Sequence, residues 1–295
     1  MSVKGKIVTD MIRFFTSQKM LGPKIQDGTL RKNLVEPPWH CPDEYLNLPI
    51  HMRQFEMELL TPKAADNGEV VLQLHGGGYI AKIRNAYRDF AVRYSKIDQY
   101  RVLSVDYRVA PQHPYPAAFQ DAIEAYRWLL YSGFSGDRII LAGDSAGGGL
   151  VLALAMYLRD QSMPLPKKLV MMSPWTDLTA SGPSYQENYE NDPLFGNTRE
   201  SMIYNGEYAG KQDPKLPYIS PLFGDFHGLP PMLFQVGSLE MLLSDSVLAA
   251  QKAKETGCDV TLTVYQDMFH VFQLSMDKLA ESRAAWDEVA SFLGQ

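Results

Sequence analysis

Short apolar runs alternate along most of the chain with longer segments of helical periodicity. The runs are rich in β-branched or aromatic residues and are bounded by Gly, Pro or Asp, which is typical of buried strands. The predicted strands are Val70–Leu74, Arg101–Tyr107, Arg138–Ala142, Lys168–Ser173, Met232–Val236 and Val260–Tyr265. The predicted helices are Ala86–Ile97, Ala117–Leu130, Ala146–Arg159, Ser244–Thr256 and Met276–Phe292. Such alternation implies right-handed crossovers, so the pattern predicts an α/β fold with a mostly parallel central sheet and helices on both faces.

Two segments depart from this alternation, namely residues 1–50 and about 176–229. Both are rich in Pro, Gly, Tyr and Asn, and the second contains a helical stretch near Thr198–Gly210. Insertions of this kind above the ends of strands commonly cover an active site. We therefore predict an N-terminal cap segment at 1–50 and a catalytic domain at 51–295 that carries a second cap insertion at about 176–229.

Charge is distributed unevenly along the chain. The first 40 residues hold seven basic and three acidic side chains, although the whole chain has a net charge of −6, which argues against a nucleic-acid partner. Val8–Met20 predicts a basic amphipathic helix that packs on the protein's own body, with binding to a membrane surface as the alternative. No apolar run is long enough for a signal peptide or a membrane span, so we expect a cytoplasmic protein without stable membrane insertion. The two cysteines, Cys41 and Cys258, are too few for a disulfide framework or a zinc site.

The sharpest chemical motif lies at residues 143–147, between a predicted strand and the helix that follows it. It reads Gly-Asp-Ser-Ala-Gly and matches the G-x-S-x-G nucleophile elbow in the strand–turn–helix context that this motif requires. Small neighbours are needed because the serine sits in a strained turn, where larger side chains would collide with the backbone. The motif therefore predicts Ser145 as a nucleophile at the N-terminus of a helix, where negative charge is stabilised.

Three consecutive glycines follow His75 at the end of another predicted strand. A run of glycines lets the backbone turn its N–H groups into a cavity, where they can stabilise the oxyanion of a tetrahedral intermediate. A phosphate-binding loop is excluded because no Gly-Lys-Ser/Thr follows and the spacing does not fit G-x-G-x-x-G. The predicted oxyanion-hole residues are Gly76, Gly77, Gly78 and Ala146. We expect His75 to be structural and to hold the loop through a hydrogen bond.

A serine nucleophile needs a histidine base and an acid that orients it, and with this elbow both follow the serine in the chain. Two of the six histidines follow Ser145, and His270 is the one that lies in the loop just after a predicted strand, Val260–Tyr265. The residues after the strand Met232–Val236 offer two acids, Glu240 and Asp245. Asp245 lies where the next helix starts and is explained as a helix cap, whereas Glu240 lies among apolar residues and needs a partner. We predict Glu240 as the acid, with Asp245 as the alternative.

Four motifs together resemble those of one known family. They are HGGG at 75–78, DYRVAPQHPYPAAFQD at 106–121, GDSAGG at 143–148 and SPLFGDFHGLPPMLFQVGSLEMLLSD at 220–245. In order and spacing they are similar to those of the bacterial hormone-sensitive-lipase-like esterases, which are α/β-hydrolases with a helical cap. The resemblance runs from about residue 70 to the C-terminus.

The resemblance implies hydrolysis of carboxylic esters, usually with short or medium acyl chains. Carried over to this sequence, it makes Ser145 the nucleophile and His270 the base. It also implies an oxyanion hole in the glycine loop, with Gly76 shaping that loop. The family often has Asp in the turn where this chain has Glu240, and either carboxylate can orient the histidine.

The predicted function is that of a serine carboxylesterase that acts through an acyl-enzyme intermediate. An amidase or arylformamidase with the same triad is the alternative enzyme, and a non-catalytic small-molecule binding protein is the alternative from another class. The chemistry needs no metal or organic cofactor, the expected partner is a small-molecule ester, and the sequence does not choose between a monomer and a homodimer. Candidate pocket-lining aromatics are Phe14, Phe15, Trp39, Tyr79, Trp175, Tyr185, Tyr204 and Phe272. Trp175 and Phe272 are favoured because each follows a strand end near a catalytic position.

Overall fold

The computed structural model describes residues 3–16, 36–196 and 206–294, which contain an eight-stranded sheet. The strands are β1 (Tyr45–His51), β2 (Glu56–Pro62), β3 (Val70–Leu74), β4 (Arg101–Asp106), β5 (Ile139–Asp144), β6 (Lys168–Met172), β7 (Met232–Gly237) and β8 (Val260–Tyr265). Their order across the sheet is β1-β2-β4-β3-β5-β6-β7-β8. Strands β3 to β8 pair in parallel, whereas β1 and β2 are antiparallel additions at one edge. The predicted mostly parallel sheet is confirmed.

The helices follow the strands along the chain much as the hydrophobic pattern predicts. They are α1 (Val3–Thr16), α2 (Asn85–Asp98), α3 (Ala117–Tyr131), α4 (Ala146–Asp160), α5 (Ser184–Glu187), α6 (Leu243–Glu255) and α7 (Ala280–Gly294). The last predicted helix, Met276–Phe292, differs because a 3₁₀ segment, Phe272–Lys278, precedes α7. Met276 has φ 50° and ψ −129°, which no α-helix accommodates, so the helix begins only at Ala280.

The sequence pattern missed the two antiparallel strands β1 and β2. Strand β1 contains Pro49, which cannot donate to a ladder and is typical of an edge, and its residues are mostly exposed or half-buried. Residues 45–50, predicted as part of the N-terminal cap segment, pair with β2 through contacts such as Leu48 opposite Leu59. The predicted boundary at residue 50 therefore falls inside a strand, and the division into cap and catalytic domain stays a prediction.

The core lies on both faces of the sheet. Along β3 the side chains alternate between two apolar clusters, with Val70, Leu72 and Leu74 on one face and Val71 on the other. Helices α3, α4 and α6 contribute to the first cluster, and α2 and α7 contribute to the second. Since both faces are covered, polar chemistry is left to the loops that follow the carboxyl ends of the strands.

Helix α1 packs on the body of the protein, as expected for its amphipathic sequence. Val8 contacts a small apolar cluster that includes Met268, Phe269 and Phe272, while Ile7 and Met11 face outwards. No helix in the described ranges is long and apolar enough to span a bilayer. The helical stretch that was predicted within the second cap insertion, near Thr198–Gly210, lies largely outside the described residues.

Candidate active site

Ser145 occupies a strained turn between β5 and α4. Its φ of 52° and ψ of −123° lie outside the usual regions for a residue with a side chain. The turn is anchored on both sides, because the Ser145 N–H donates to the Met172 carbonyl at 2.9 Å and the Trp175 N–H donates to the Ser145 carbonyl at 2.8 Å. The elbow also needs Gly147, since a Cβ there would lie 2.0 Å from the Leu74 carbonyl oxygen. The geometry is that of the nucleophile elbow which the sequence predicts.

His270 and Glu240 are in direct contact. The His270 Nδ1 lies 2.7 Å from the Glu240 Oε2, and both side chains are buried. The other carboxylate oxygen, Oε1, accepts hydrogen bonds from the Ser173 hydroxyl at 2.7 Å and from the Gly237 N–H at 2.5 Å. A carboxylate at Nδ1 holds the proton on that nitrogen, so the lone pair of the imidazole is on Nε2. His270 therefore has the tautomer that a general base requires.

Asp245 does not contact the histidine. Its Oδ2 accepts the backbone N–H groups of Thr176 and Asp177 at 2.7 and 2.8 Å, and burial raises its pKa well above the usual range. The interpretation of Asp245 as a helix cap is also wrong, because the cap position of α6 is Leu242 and Asp245 lies within the first turn. Of the two acids left open by the sequence, Glu240 is the one beside His270.

The glycine loop after β3 depends on residues with positive φ. Gly77 has φ 111° and Gly78 has φ 62°, and the chain then turns through Tyr79 at φ 60°. Among the described residues, neither the Gly77 N–H nor the Gly78 N–H has an acceptor. The Gly76 N–H is different, because it donates to the Asp144 Oδ1 at 3.0 Å. The prediction of Gly76 in the oxyanion hole is therefore wrong, because its N–H group is already bonded to Asp144. Gly76 instead shapes the loop.

Asp144 links the glycine loop to the nucleophile elbow. Its second oxygen accepts the Tyr87 hydroxyl at 3.1 Å, and burial raises its pKa to about 7. His75 holds the loop from the other side, since its Nδ1 lies 2.7 Å from the Gly76 carbonyl and its ring stacks on Tyr107 at 4.2 Å. His75 thus has the structural contact that was predicted for it.

The insertion after β6 contacts residues 238–241, the turn that contains Glu240 and that we call the acid turn. The Asn188 Nδ2 donates to the carbonyls of Ser238 and Glu240 at 3.0 and 2.8 Å. The Met241 N–H donates to the buried Asp192 at 2.8 Å. Sequence reasoning missed Asn188, and the signal that could have found it is its position in the predicted cap insertion.

The same insertion reaches the histidine and the start of α6. The Phe195 ring lies against His270 with centroids 4.7 Å apart. The Ser184 hydroxyl donates to the Met241 carbonyl at 2.6 Å, and the Ser184 and Ser244 side chains each accept the other's backbone N–H. Residues 184–195 therefore form a bracket around the acid turn, which we call the cap bracket.

The predicted pocket aromatics separate into two groups. Tyr79 is buried, stacks on Tyr208 at 3.6 Å and lies 6.1 Å from Trp175, so these rings form one wall beside the glycine loop. Tyr208 is a wall residue that the sequence did not single out. Tyr185 is buried beside this group and donates its hydroxyl to the Asp177 carbonyl at 3.2 Å.

The other predicted aromatics do not join this wall. Phe272 packs with Leu279 and Ala285 of the following segment, and Trp39 packs against the apolar cluster on the opposite side and donates to Asp89. Neither ring contacts Tyr79 or Tyr208 in the described part of the chain, and their role as pocket residues stays a prediction. Tyr204 and the side chains of Phe14 and Phe15 lie outside the described residues.

Comparison with known proteins identifies the family to which this fold belongs. The sequence pattern of the family described as alpha/beta hydrolase fold matches residues 71–274. An acetyl-hydrolase of Streptomyces hygroscopicus is 38% identical over 230 residues, which cover 78% of this chain and 77% of that protein. The described ranges contain no group of three or more His, Cys, Asp or Glu side chains arranged for a metal ion.

Solved structures are similar over almost the whole chain. A crystal structure of EstE5 soaked with p-nitrophenyl butyrate has a TM-score of 0.87 and 33% identity, covering 99% of this chain and 98% of that chain. An esterase from the bacterial hormone-sensitive lipase family has a TM-score of 0.86 and 34% identity, with the same coverage. The chain therefore belongs to the α/β-hydrolase family, and within it to the group of bacterial hormone-sensitive-lipase-like esterases, as its motifs predict.

Proposed function

We propose that this carboxylic ester hydrolase acts on short- to medium-chain esters through an acyl-enzyme on Ser145, with His270 as the base and Glu240 as the acid that orients it. The observation that carries the proposal is the 2.7 Å contact between the His270 Nδ1 and the Glu240 Oε2. This contact leaves the lone pair of the imidazole on Nε2, which is the state that can take a proton from a serine hydroxyl.

In the first half of the cycle, the His270 Nε2 takes the proton of the Ser145 hydroxyl as the oxygen attacks the ester carbonyl. The N–H groups of Gly77, Gly78 and Ala146 stabilise the oxyanion, and one such donor typically contributes about 10²- to 10³-fold in rate. The Glu240 carboxylate stabilises the imidazolium. The imidazolium then protonates the departing alkoxide, and the alcohol leaves the acyl-enzyme.

In the second half, a water molecule replaces the alcohol. His270 takes one water proton while the oxygen attacks the acyl carbon, and the same N–H groups stabilise the second oxyanion. When this intermediate collapses, the proton returns to the Ser145 oxygen and the carboxylic acid leaves. The enzyme is regenerated with no net consumption of any group on the protein.

The preference for short acyl chains is supported by the aromatic wall and by the relatives. Ser145 and His270 are each 7% exposed, and the stacked rings of Tyr79 and Tyr208 lie next to the glycine loop. We propose that this wall bounds the acyl site and so limits the length of the acyl group that fits beside the nucleophile. The name acetyl-hydrolase of one relative and the p-nitrophenyl butyrate soak of EstE5 agree with this size.

The test is the hydrolysis of p-nitrophenyl acetate, butyrate, octanoate and palmitate by wild type and Ser145→Ala. We expect hydrolysis of the short esters, falling towards palmitate, with activity lost in the variant and folding unchanged by circular dichroism. A pre-steady-state burst of p-nitrophenol would report the acyl-enzyme. Full activity in folded Ser145→Ala would refute the proposed nucleophile.

The cytoplasmic location stays a prediction from the sequence, which does not choose between a monomer and a homodimer. Fractionation of the producing cells tests the location, and analytical ultracentrifugation tests the assembly.

A further inference from the structure

Ser173 lies one residue beyond the end of β6, in a conformation that few residues with side chains adopt. Its φ is 48°, in the left-handed region. Its N–H donates to the Gln235 carbonyl on the neighbouring β7 at 2.6 Å, so the backbone is anchored, and its side chain has no exposed surface. A strained, fully buried serine needs an explanation beyond chain reversal, for which glycine would serve better.

The Ser173 hydroxyl connects two loops of the candidate site. It donates to the Glu240 Oε1 at 2.7 Å and accepts the Val271 N–H at 3.2 Å. Val271 directly follows His270, so a single oxygen atom joins the end of β6, the acid turn after β7 and the histidine loop after β8.

We propose that Ser173 is a positioning residue for the hydrolysis, one that holds the Glu240 carboxylate and the His270 loop in register with each other. The inference rests on the proposed function, in which Glu240 orients His270. Ser173 touches the oxygen of Glu240 that faces away from the imidazole, so it acts through the acid.

The effect follows from the small number of donors on Oε1. Only Ser173 and the Gly237 N–H bond this oxygen among the described residues. Together they fix the rotation of the carboxylate about its last bond, and this rotation decides where Oε2 lies relative to the His270 Nδ1. Without the Ser173 hydroxyl, the Gly237 N–H is the one donor that remains on Oε1 among the described residues, and the Glu240 carboxylate can rotate away from the His270 Nδ1. The Val271 N–H loses its acceptor in a buried place at the same time, which loosens the histidine loop.

A purely structural role makes a different prediction. Loss of a buried hydrogen bond would then lower the stability of the fold while each folded molecule kept its normal turnover. A positioning role lowers kcat in fully folded enzyme with little change in KM, because Ser173 does not touch the substrate.

The experiment compares Ser173→Ala and Ser173→Gly with wild type and with the control Ser282→Ala. Both test variants lack the hydroxyl, but glycine relieves the positive φ whereas alanine retains it. The control removes the hydroxyl of Ser282, another fully buried serine, which lies on α7. This hydroxyl donates to the Gln273 carbonyl at 3.1 Å. Each protein is assayed on p-nitrophenyl butyrate, and the downfield proton resonance of the His270 Nδ1–H is recorded by NMR.

We expect kcat to fall about 10-fold in both test variants with KM changed less than about 2-fold, as for loss of a hydrogen bond to a charged group. The His270 resonance should shift or broaden in both, and the glycine variant should remain folded. The control should keep the wild-type kcat and resonance.

Normal kcat and an unchanged resonance in folded Ser173→Gly would overturn the inference, as would a change confined to KM. Failure of the proposed function is seen separately, since folded Ser145→Ala would then keep its activity. If Ser145→Ala is inactive and Ser173→Gly is normal, the inference about Ser173 alone is wrong.

Discussion

Replacing Glu240 by glutamine tests the orientation of the histidine, because the site dictates which way the new amide must face. The Gly237 N–H lies 2.5 Å from Oε1 and can only donate, so the amide oxygen must take that position. The amide NH₂ then takes the place of Oε2, 2.7 Å from the His270 Nδ1. Two donors cannot face each other at that distance, so His270 must move its proton from Nδ1 to Nε2.

A histidine protonated on Nε2 has no lone pair to take the serine proton. The corresponding Asp→Asn change in another Ser-His-Asp triad lowers kcat about 10⁴-fold through the same wrong tautomer. Four powers of ten correspond to about 5.5 kcal/mol of transition-state stabilisation. We expect a loss of this size in Glu240→Gln, since the donors on Oε1 leave the amide no alternative orientation. KM should change little because the acid does not contact the ester.

The assay is hydrolysis of p-nitrophenyl butyrate at pH 8, with ¹⁵N NMR of the imidazole to identify the protonated nitrogen. Glu288→Gln is the matched control, because Glu288 also accepts several hydrogen bonds but bonds Gln235, Thr263 and Tyr265 rather than the histidine. Folded Glu240→Gln with more than about a tenth of the wild-type kcat, or with its proton still on Nδ1, would refute the reasoning.

Three further predictions concern stability. The pKa of Asp144 is raised by burial to about 7 in the folded protein, above its value of about 4 when unfolded, so the native state binds the proton more tightly. The contribution of Asp144 to the unfolding free energy is complete below pH ~4 and disappears as the pH rises through 7. Wild type should therefore lose about 4 kcal/mol of unfolding free energy over this pH range relative to Asp144→Asn, as measured by urea titrations. Asp245→Ala should lower the melting temperature because the buried N–H groups of Thr176 and Asp177 lose their acceptor, but it should leave the turnover of folded enzyme within about 3-fold, and a loss as large as that of Glu240→Gln would make Asp245 the acid. Gly147→Ala should destabilise by at least about 3 kcal/mol in denaturant titrations because its Cβ would meet the Leu74 carbonyl, and a stable variant would show that the elbow can relax.

Strands were predicted correctly where the local hydrophobic pattern is strong. Strands β3 and β8 were predicted with their observed bounds, since each is a short apolar or β-branched run with clear breakers. Strands β1 and β2 were missed because an edge hairpin needs no continuous apolar run. Pro49 further weakened the strand signal of β1, although an edge tolerates it.

The candidate site shows the same division. Ser145, His270 and Glu240 were predicted because each lies in the turn or loop that follows a strand, where parallel sheets place their chemistry. Ser173 and Asn188 were not, because their partners are 67 and 52 positions away and such contacts leave no trace in local spacing. Gly76 was grouped with its neighbours because nothing in a glycine run tells which N–H is already bonded.

The cap bracket has a consequence for attempts to alter substrate range by exchanging cap segments between related enzymes. The predicted cap insertion is a natural target for exchange, but Asn188 and Asp192 within it hold the backbone around Glu240. A chimera with a foreign segment at 184–195 would lose this support of Glu240 whatever the new segment does to the substrate pocket, so we expect a low turnover that does not measure substrate fit. Chimeras that retain Ser184, Asn188 and Asp192 should keep Glu240 in place, so that their turnover reports the effect of the exchanged residues on substrate fit. These three residues are therefore the ones that a graft should leave unchanged.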